Sequence, residues 1–395
     1  MSEQNTPIKL NKEISTILTT WYEENKRDLP WRRTLLPYHI WISEMMLQQT
    51  QMTRGVSYFE RWIARFPSIE DVANASIEEL YKYWEGLGYY SRVRNIHITA
   101  KRIIEEYDGI IPDDVEILEG LQGIGPYTAR AIASIAYNKD VPVVDANVIR
   151  IITRIFGIKD IISLQSTQSK IYDIVNTLLP LGNARTFNQA MMEFGAILCN
   201  AQPPCYECPF SRSCHAYTNN CVNELPAHAP KKEINRYSTI ALLLVYDNTV
   251  LMRKRPKRGL WANLWEFPEY VFTPTSHALP EQHALFSHNK NSLQEKLSSS
   301  YNTLPSSHDI ATAFYDEYAL PVTVSQTYIT TKYSFTVNRV TLHAFHGTCT
   351  EEVLDLHSKY HPRQEHTFFT KEQLLEQTLS SGHSTLRNFL ITNIL

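Results

Sequence analysis

The sequence predicts a multidomain protein, an all-α domain followed by a smaller α+β domain. Three observations point there. The chain has 395 residues, more than one ordinary domain of roughly 150, and its 43% hydrophobic and 20% charged residues suffice for more than one core. Over the first half, apolar residues recur at helical spacing and strand-like alternation is scarce. After Cys221 the texture changes to short β-rich runs separated by turn residues.

In the first domain, residues 1–221, Ser76 with Glu79 three residues on makes a capping-box pattern ahead of Leu80, Tyr83 and Trp84 on one helical face. Gly109 and Pro112 end the helical stretch before them. Residues 128–137 are rich in Ala and Ile and read as a helix opening just after Pro126. Residues 222–236, polar and carrying two prolines and a lysine pair, read as a linker. The second domain, residues 237–395, begins with strands at 238–246 and 249–253 around an Asp247-Asn248 hairpin turn. Residues 273–309 read as a long surface excursion with one short helix at 293–297. Residues 328–347 alternate like a strand, and 370–379 and 385–395 read as terminal helices. No internal repeat is visible.

Charge and hydropathy remove several function classes. A net charge of −3, from 38 basic and 41 acidic residues, disfavours a polycation that coats nucleic acid, so any such binding must use local geometry and backbone donors. The longest apolar run, residues 240–246, is too short to span a bilayer. The N-terminal stretch carries acids and no apolar core of a secretory signal. These features lead us to expect a soluble cytoplasmic protein without a membrane partner. Six cysteines are too few for a disulfide framework in a chain this long.

Three motifs carry chemistry. Cys199, Cys205, Cys208 and Cys214 follow the spacing C-x5-C-x2-C-x5-C within residues 199–214. Four thiolates this close in sequence can converge on zinc or on an iron–sulfur cluster, and five-residue loops suit the wider cube of the cluster. Leu121-Gln-Gly123-Ile-Gly125-Pro126 places two glycines before a helix. It is either a plain interhelical turn or a set of outward N–H groups suited to a DNA phosphate. Glu44 lies in a run with few charges, and Asp145 is flanked by apolar residues. Either acid can be an N-cap or a surface carboxylate. In apolar surroundings, however, a carboxyl keeps its proton near neutral pH, and a second ionised carboxylate beside it can stabilise a positive sugar. That is the logic of glycoside cleavage.

Several stretches match one family: Asp28-Leu-Pro-Trp-Arg32, Trp41-Ile-Ser-Glu-Met-Met-Leu-Gln-Gln-Thr-Gln51, Tyr83-Trp-Glu-Gly-Leu-Gly-Tyr-Tyr-Ser-Arg-Val-Arg-Asn95, residues 121–129, Val143-Val-Asp-Ala-Asn-Val-Ile-Arg150 and the four cysteines. Together they resemble the MutY-type adenine DNA glycosylases of the helix-hairpin-helix superfamily. Gly259-Leu-Trp-Ala-Asn-Leu-Trp-Glu-Phe-Pro268 is similar to the start of that family's MutT/Nudix-like C-terminal domain. The resemblance spans nearly the whole chain.

The resemblance implies a helix-hairpin-helix glycosylase domain with an iron–sulfur cluster loop, and a Nudix-like lesion-recognition domain. The implied partner is double-stranded DNA carrying A·8-oxoguanine or A·G mispairs. The enzyme would act as a monomer in the nucleoid, with replication or mismatch-repair proteins as candidate partners. Glu44 would protonate the adenine, Asp145 would stabilise the sugar cation, and Tyr127 and Asn147 would position them. Endonuclease III-type relatives carry a lysine where Tyr127 stands, and lysine forms a Schiff base with the sugar. Tyrosine implies a monofunctional enzyme. Gln48, Leu47 and Tyr89 would fill the gap left by a flipped base. Gly123 and Gly125 would meet the backbone, and Trp31 and Arg32 would line the adenine pocket. Cys199, Cys205, Cys208 and Cys214 would hold a 4Fe-4S cluster. Residues 253–258 form a basic run that reads equally as a phosphate contact or a solvated turn. No glutamate-rich Nudix metal helix follows Tyr270, so the C-terminal domain is expected to recognise rather than hydrolyse.

Three departures from the family pattern stand out. The first cysteine loop is one residue shorter than the common form, and Ala146 replaces a glycine. The lesion-probing Phe-Ser-His loop falls at Tyr333-Ser334-Phe335, with Ser334 kept and the histidine missing. Two alternatives remain, a glycosylase/lyase of the endonuclease III type and a catalytically silent DNA-damage binding protein.

Overall fold

The computed structural model describes residues 6–230, 233–257, 259–272, 306–318, 321–349 and 366–394. The expected excursion at 273–309 and its helix at 293–297 lie almost wholly outside them. The chain divides into two compact units, residues 1–75 with 94–231 and residues 76–93 with 232–395.

The first unit is helical, as expected. Its helices are α1 (Thr6–Asn25), α2 (Pro30–Thr34), α3 (Pro37–Leu47), α4 (Met52–Arg65) and α5 (Ile69–Asn74). After α6 (Ile77–Trp84), which belongs to the second unit, come α7 (Ser91–Tyr107), α8 (Val115–Glu119), α9 (Pro126–Ala131), α10 (Ala146–Phe156), α11 (Gln165–Leu178), α12 (Ala184–Ile197) and α13 (His215–Thr218). Prolines open α2, α3 and α9 at positions whose N–H would have no helical partner. Residues 38–46 of α3 are buried on every side, so Glu44 is carried into the interior by an apolar helix. Helices α1, α10, α11 and α12 share one core that includes Leu18, Ile151, Val175, Phe187 and Phe194. The helix expected at 128–137 is α9 continued by a π-helical turn at Ile132–Ala136. Arg185 donates to the carbonyls of Ile135 and Ala136 at 2.6 and 2.7 Å, satisfying acceptors that the wide turn releases.

In the second unit the strands are β1 (Asn235–Tyr246), β2 (Thr249–Lys254), β3 (Trp265–Glu266), β4 (Glu269–Phe272), β5 (Thr323–Phe335), β6 (Asn338–Thr348) and β7 (His366–Thr370). They form one mixed sheet in the order β3-β2-β1-β6-β5, with β4 also on β1 and β7 on β2. The β1–β2 turn has positive φ at Asp247 (40°) and Asn248 (59°), the primed geometry that such a pair favours. Strand β1 runs parallel to β6 and is buried on both faces. Ala241 and Leu243 meet one core, with Leu374, Leu386 and Leu390 of the C-terminal helices. Ile240, Leu242 and Leu244 meet another, with Ile310 and Phe314 of the helix Ser307–Tyr318. This two-sided burial explains the unbroken apolar run. The strand-like stretch at 328–347 is a hairpin of β5 and β6.

Two expectations about the organisation change. Residues 222–227 are no free linker: Leu225 is buried, its carbonyl accepts from Arg154 Nε at 3.0 Å, and the Ala227 carbonyl accepts from Ile162 N at 3.0 Å. Asn235 and Arg236 already belong to β1. Segment 76–93 packs with the second unit through long-range pairs that local pattern does not reveal: Tyr90 Oη donates to the Leu379 carbonyl at 3.4 Å and Arg387 pairs with Glu85 at 3.0 Å. Among the described residues no helix is long and apolar enough to cross a membrane.

Candidate active site

Glu44, on the last turns of α3, is only 8% exposed. Its Oε2 accepts a 2.7 Å hydrogen bond from Tyr127 Oη. Burial pushes its carboxyl up to about 7, against the pull of the Tyr127 hydroxyl and with a further push from Asp145. Tyr127 stands in the first turn of α9, and its hydroxyl also lies 3.6 Å from Met192 Sδ. Burial and then the two carboxylates hold its phenol well above the usual range, so it stays a donor.

Asp145 is the N-cap of α10, accepting from Val148 N at 2.7 Å through Oδ1 and from Asn147 Nδ2 at 2.8 Å through Oδ2. Burial raises its carboxyl, while these donors favour its ionised form. The N-cap role and the chemical role thus coincide, since capping bonds and the helix dipole keep a buried carboxylate charged. Asn147 is held in turn by Arg150, whose Nη2 donates to Asn147 Oδ1 and to the Gly195 carbonyl, both at 2.8 Å. Arg150 Nε donates to the Cys199 carbonyl at 2.7 Å. Gly195 permits this packing, for a Cβ there would sit 2.6 Å from Asn147 Cβ. The structure therefore holds two hydrogen-bonded pairs, Tyr127 on Glu44 and Asn147 on Asp145, near enough for the charge of Asp145 to act on Glu44; Glu44 is buried and the other three are half-buried. Sequence reasoning missed Arg150 and Met192. Arg150 had a signal, standing one helical turn after Asn147; Met192 had none.

The four cysteine side chains line one cavity with Arg154, Phe194 and Phe210. Arg154 Nη1 lies 3.5 Å from Cys199 Sγ. Burial pushes the Cys208 thiol up to about 11, against a hydrogen bond from the Phe210 backbone and with a further push from the neighbouring sulfurs, so its thiolate calls for a positive centre. Tetrahedral zinc at ~2.3 Å from each sulfur would bring all four within about 4 Å of one another. Among the described residues, the group of three or more ligand atoms within 4.8 Å of one another is Glu266, Glu269 and His383, and the cysteines form no such group. The Glu266 group is already satisfied, as described below.

Other expected residues fall as follows. Arg32 pairs with buried Glu193 at 2.8 Å, as does Arg27. Burial alone would raise Glu193; the two guanidinium groups outweigh it and hold the carboxyl down to about 2. Trp31 is 6% exposed and packs edge-on against Phe59. Gln48 and Leu47 are half-buried at the end of α3. Gly123 has φ 83°, and a Cβ there would strike the Asn95 side chain at 2.5 Å; Gly125, the N-cap of α9, has open space around it. Tyr89, in the second unit, is 47% exposed with φ 49° and has Arg92 over its ring at 5.5 Å. Ser334 is exposed on β5. The basic run is corrected: Arg253 and Arg255 are 6% and 5% exposed and both bind the buried carboxylate of Glu266. They are neither a phosphate contact nor a solvated turn, because a partner on the neighbouring strand neutralises them in the core.

Comparison with known proteins agrees with the fold. Residues 42–177 match the HhH-GPD superfamily of base excision DNA repair proteins, and residues 239–388 match the NUDIX domain. An adenine DNA glycosylase of Buchnera aphidicola subsp. Acyrthosiphon pisum is 33% identical over 259 residues, covering 65% of this chain and 74% of that protein. One of Mycolicibacterium smegmatis is 43% identical over 198 residues, covering 49% and 66%. A solved structure described as a thermostable thymine-DNA glycosylase is 30% identical with a TM-score of 0.49, covering 53% of this chain and 98% of that one. The class is thus a helix-hairpin-helix base excision repair enzyme with a Nudix-like C-terminal domain. Within that class, the chain belongs to the adenine DNA glycosylase family.

Proposed function

We propose that this enzyme excises adenine mispaired with 8-oxoguanine, or with guanine, from duplex DNA and leaves an abasic site. The observation that carries the reading is the pair of buried carboxyls in unlike settings, Glu44 raised to about 7 and Asp145 capping α10. The adenine leaves the stack to reach them. Glu44 gives its proton to N7, the C1′–N9 bond breaks with its electron pair going to the base, and the cationic sugar forms against the Asp145 carboxylate. Water then adds at C1′ and passes its proton to the Glu44 carboxylate, which restores the acid. Tyr127 orients Glu44, and Asn147 orients Asp145. Lacking an amine at Tyr127, the site forms no Schiff base, and the strand stays uncut until alkali is added.

Backbone N–H groups around Gly123 and Gly125 take a phosphate, Gln48, Leu47 and Tyr89 fill the vacated stack, and Ser334 meets the damaged guanine. The charge of Arg32 acts on Glu44 from its place on Glu193. Trp31 supports the pocket from the core. Cys199, Cys205, Cys208 and Cys214 hold a 4Fe-4S cluster, which when bound supplies the positive centre the thiolates need and orders their loop. The enzyme works on DNA as a monomer in the cytoplasmic nucleoid. Incubation with duplexes containing A·8-oxoguanine, A·G, A·C or T·G tests the reading. Alkali-dependent cleavage at adenine opposite 8-oxoguanine is expected. Nicking without alkali would favour the lyase, and tight binding without any product would favour a silent damage-binding protein.

A further inference from the structure

Gly382 lies in the first turn of the helix Ser381–Asn393 with no positive φ to require glycine. Its reason is steric, since a Cβ there would lie 2.6 Å from Tyr333 Cδ1 and 2.8 Å from Cε1. The ring of Tyr333 is seated in the notch that the missing side chain leaves. Its hydroxyl donates to Glu269 Oε1 at 3.1 Å, and Glu269 Oε2 lies 2.8 Å from His383 Nε2. The N–H of Phe267 donates to His383 Nδ1 at 3.2 Å, which leaves the Nε2 proton for Glu269. Alternation along β5 turns Tyr333 and Phe335 to one face and Ser334 to the other. Trp261 lies against both inward rings, at 5.7 and 5.2 Å between centroids, and Arg255 of the Glu266 pair stands 5.4 Å over Trp261. The two neighbours of Ser334 are therefore pinned inward, near the end of the hairpin that β5 makes with β6.

We propose that Tyr333 is a positioning residue that sets how strongly the enzyme distinguishes 8-oxoguanine from guanine opposite the target adenine, through a latch in which Gly382 receives its ring and Glu269 its hydroxyl. The proposal rests on the reading of Ser334 as the side chain that meets the damaged purine. The two purines differ at N7, a donor in 8-oxoguanine and an acceptor in guanine, so a hydroxyl separates them only if its direction is fixed. Free rotation of the hairpin tip would let Ser334 satisfy either.

The test compares full-length wild type, Gly382→Ala, Tyr333→Phe and Ser334→Ala. Each is measured for single-turnover excision from A·8-oxoguanine and A·G duplexes, and for amide hydrogen exchange over residues 330–339. Gly382→Ala is expected to speed exchange at the tip and to lower the 8-oxoguanine preference about five- to tenfold, with the A·G rate unchanged. Tyr333→Phe, which keeps the ring, is expected to shift both readouts in the same direction by less. A merely structural role would lower both rates together and leave their ratio alone. Unchanged exchange in Gly382→Ala, or an unchanged ratio in a variant whose tip has loosened, overturns the latch. If Ser334→Ala keeps the wild-type ratio, the Ser334 assignment falls instead, and exchange alone then decides whether the latch exists.

Discussion

A carboxyl raised to about 7 beside a second one that burial raises and capping donors oppose gives the proposed mechanism a pH dependence with two limbs. The proposed mechanism requires protonated Glu44 and ionised Asp145, so kcat/KM should fall as pH rises through about 7 and fall again in acid as the pair gains its second proton. The same shift acts on stability. Native Glu44 holds a proton that the unfolded chain releases above its ordinary value near 4.5, so stability declines as pH rises from there to about 7. Glu44→Gln should therefore melt higher than wild type at pH 8, by up to about 3 kcal/mol, while losing activity. A melting temperature at pH 8 equal to or below that of wild type would show that burial does not strain this carboxyl. Asp145→Asn separates the two jobs of the other acid. Asparagine caps a helix about as well, so stability should change by less than about 1 kcal/mol while excision falls at least a hundredfold. A large drop in melting temperature would mean that the cap dominates.

At the scale of elements, helix ends and close crossings hold the site. Helix α10 carries Asp145 at its cap and Asn147 and Arg150 in its first turns, and α12 approaches closely because Gly195 has no side chain. Gly195→Ala should push the helices apart, destabilise by about 1–3 kcal/mol and lower kcat more than KM, which single-turnover and steady-state rates together will show. This level was partly legible in the sequence. An acid amid apolar residues marked Glu44 as buried, and the glycine pair before Pro126 marked the turn that aims Tyr127. Arg253 and Arg255 were misread because a basic run looks solvated until its partner is known. Glu266 lies more than ten residues away and reaches them only through strand pairing. The π-helical turn after α9 had no local signature, because Arg185 of α12 supplies the donors that make it tolerable.

At the scale of the whole molecule, the second unit is built from two separate stretches of chain. Segment 76–93 leaves the first unit to pack in the second, where Tyr90 and Glu85 find their partners on residues 379 and 387. Sequence patterning read its helix, and the HhH-GPD match over residues 42–177 runs through the segment, while its contacts to residues 379 and 387 lie hundreds of residues away and leave no local pattern. Removal of residues 237–395 should therefore expose apolar surface on segment 76–93. Such a truncation is expected to unfold at lower temperature than the full chain and to exchange its amides at 76–93 rapidly; equal protection there would show that the segment stands by itself.

The most direct measurement of the central claim is single-turnover adenine release from an A·8-oxoguanine duplex by wild type and Glu44→Gln, with and without alkali. Wild type should yield strand breaks only after alkali, and Glu44→Gln should be slower by about two to four orders of magnitude while still binding the duplex. Wild-type rates in Glu44→Gln, or strand breaks without alkali, would contradict the assignment of Glu44 as the acid and of Tyr127 as the mark of a monofunctional enzyme.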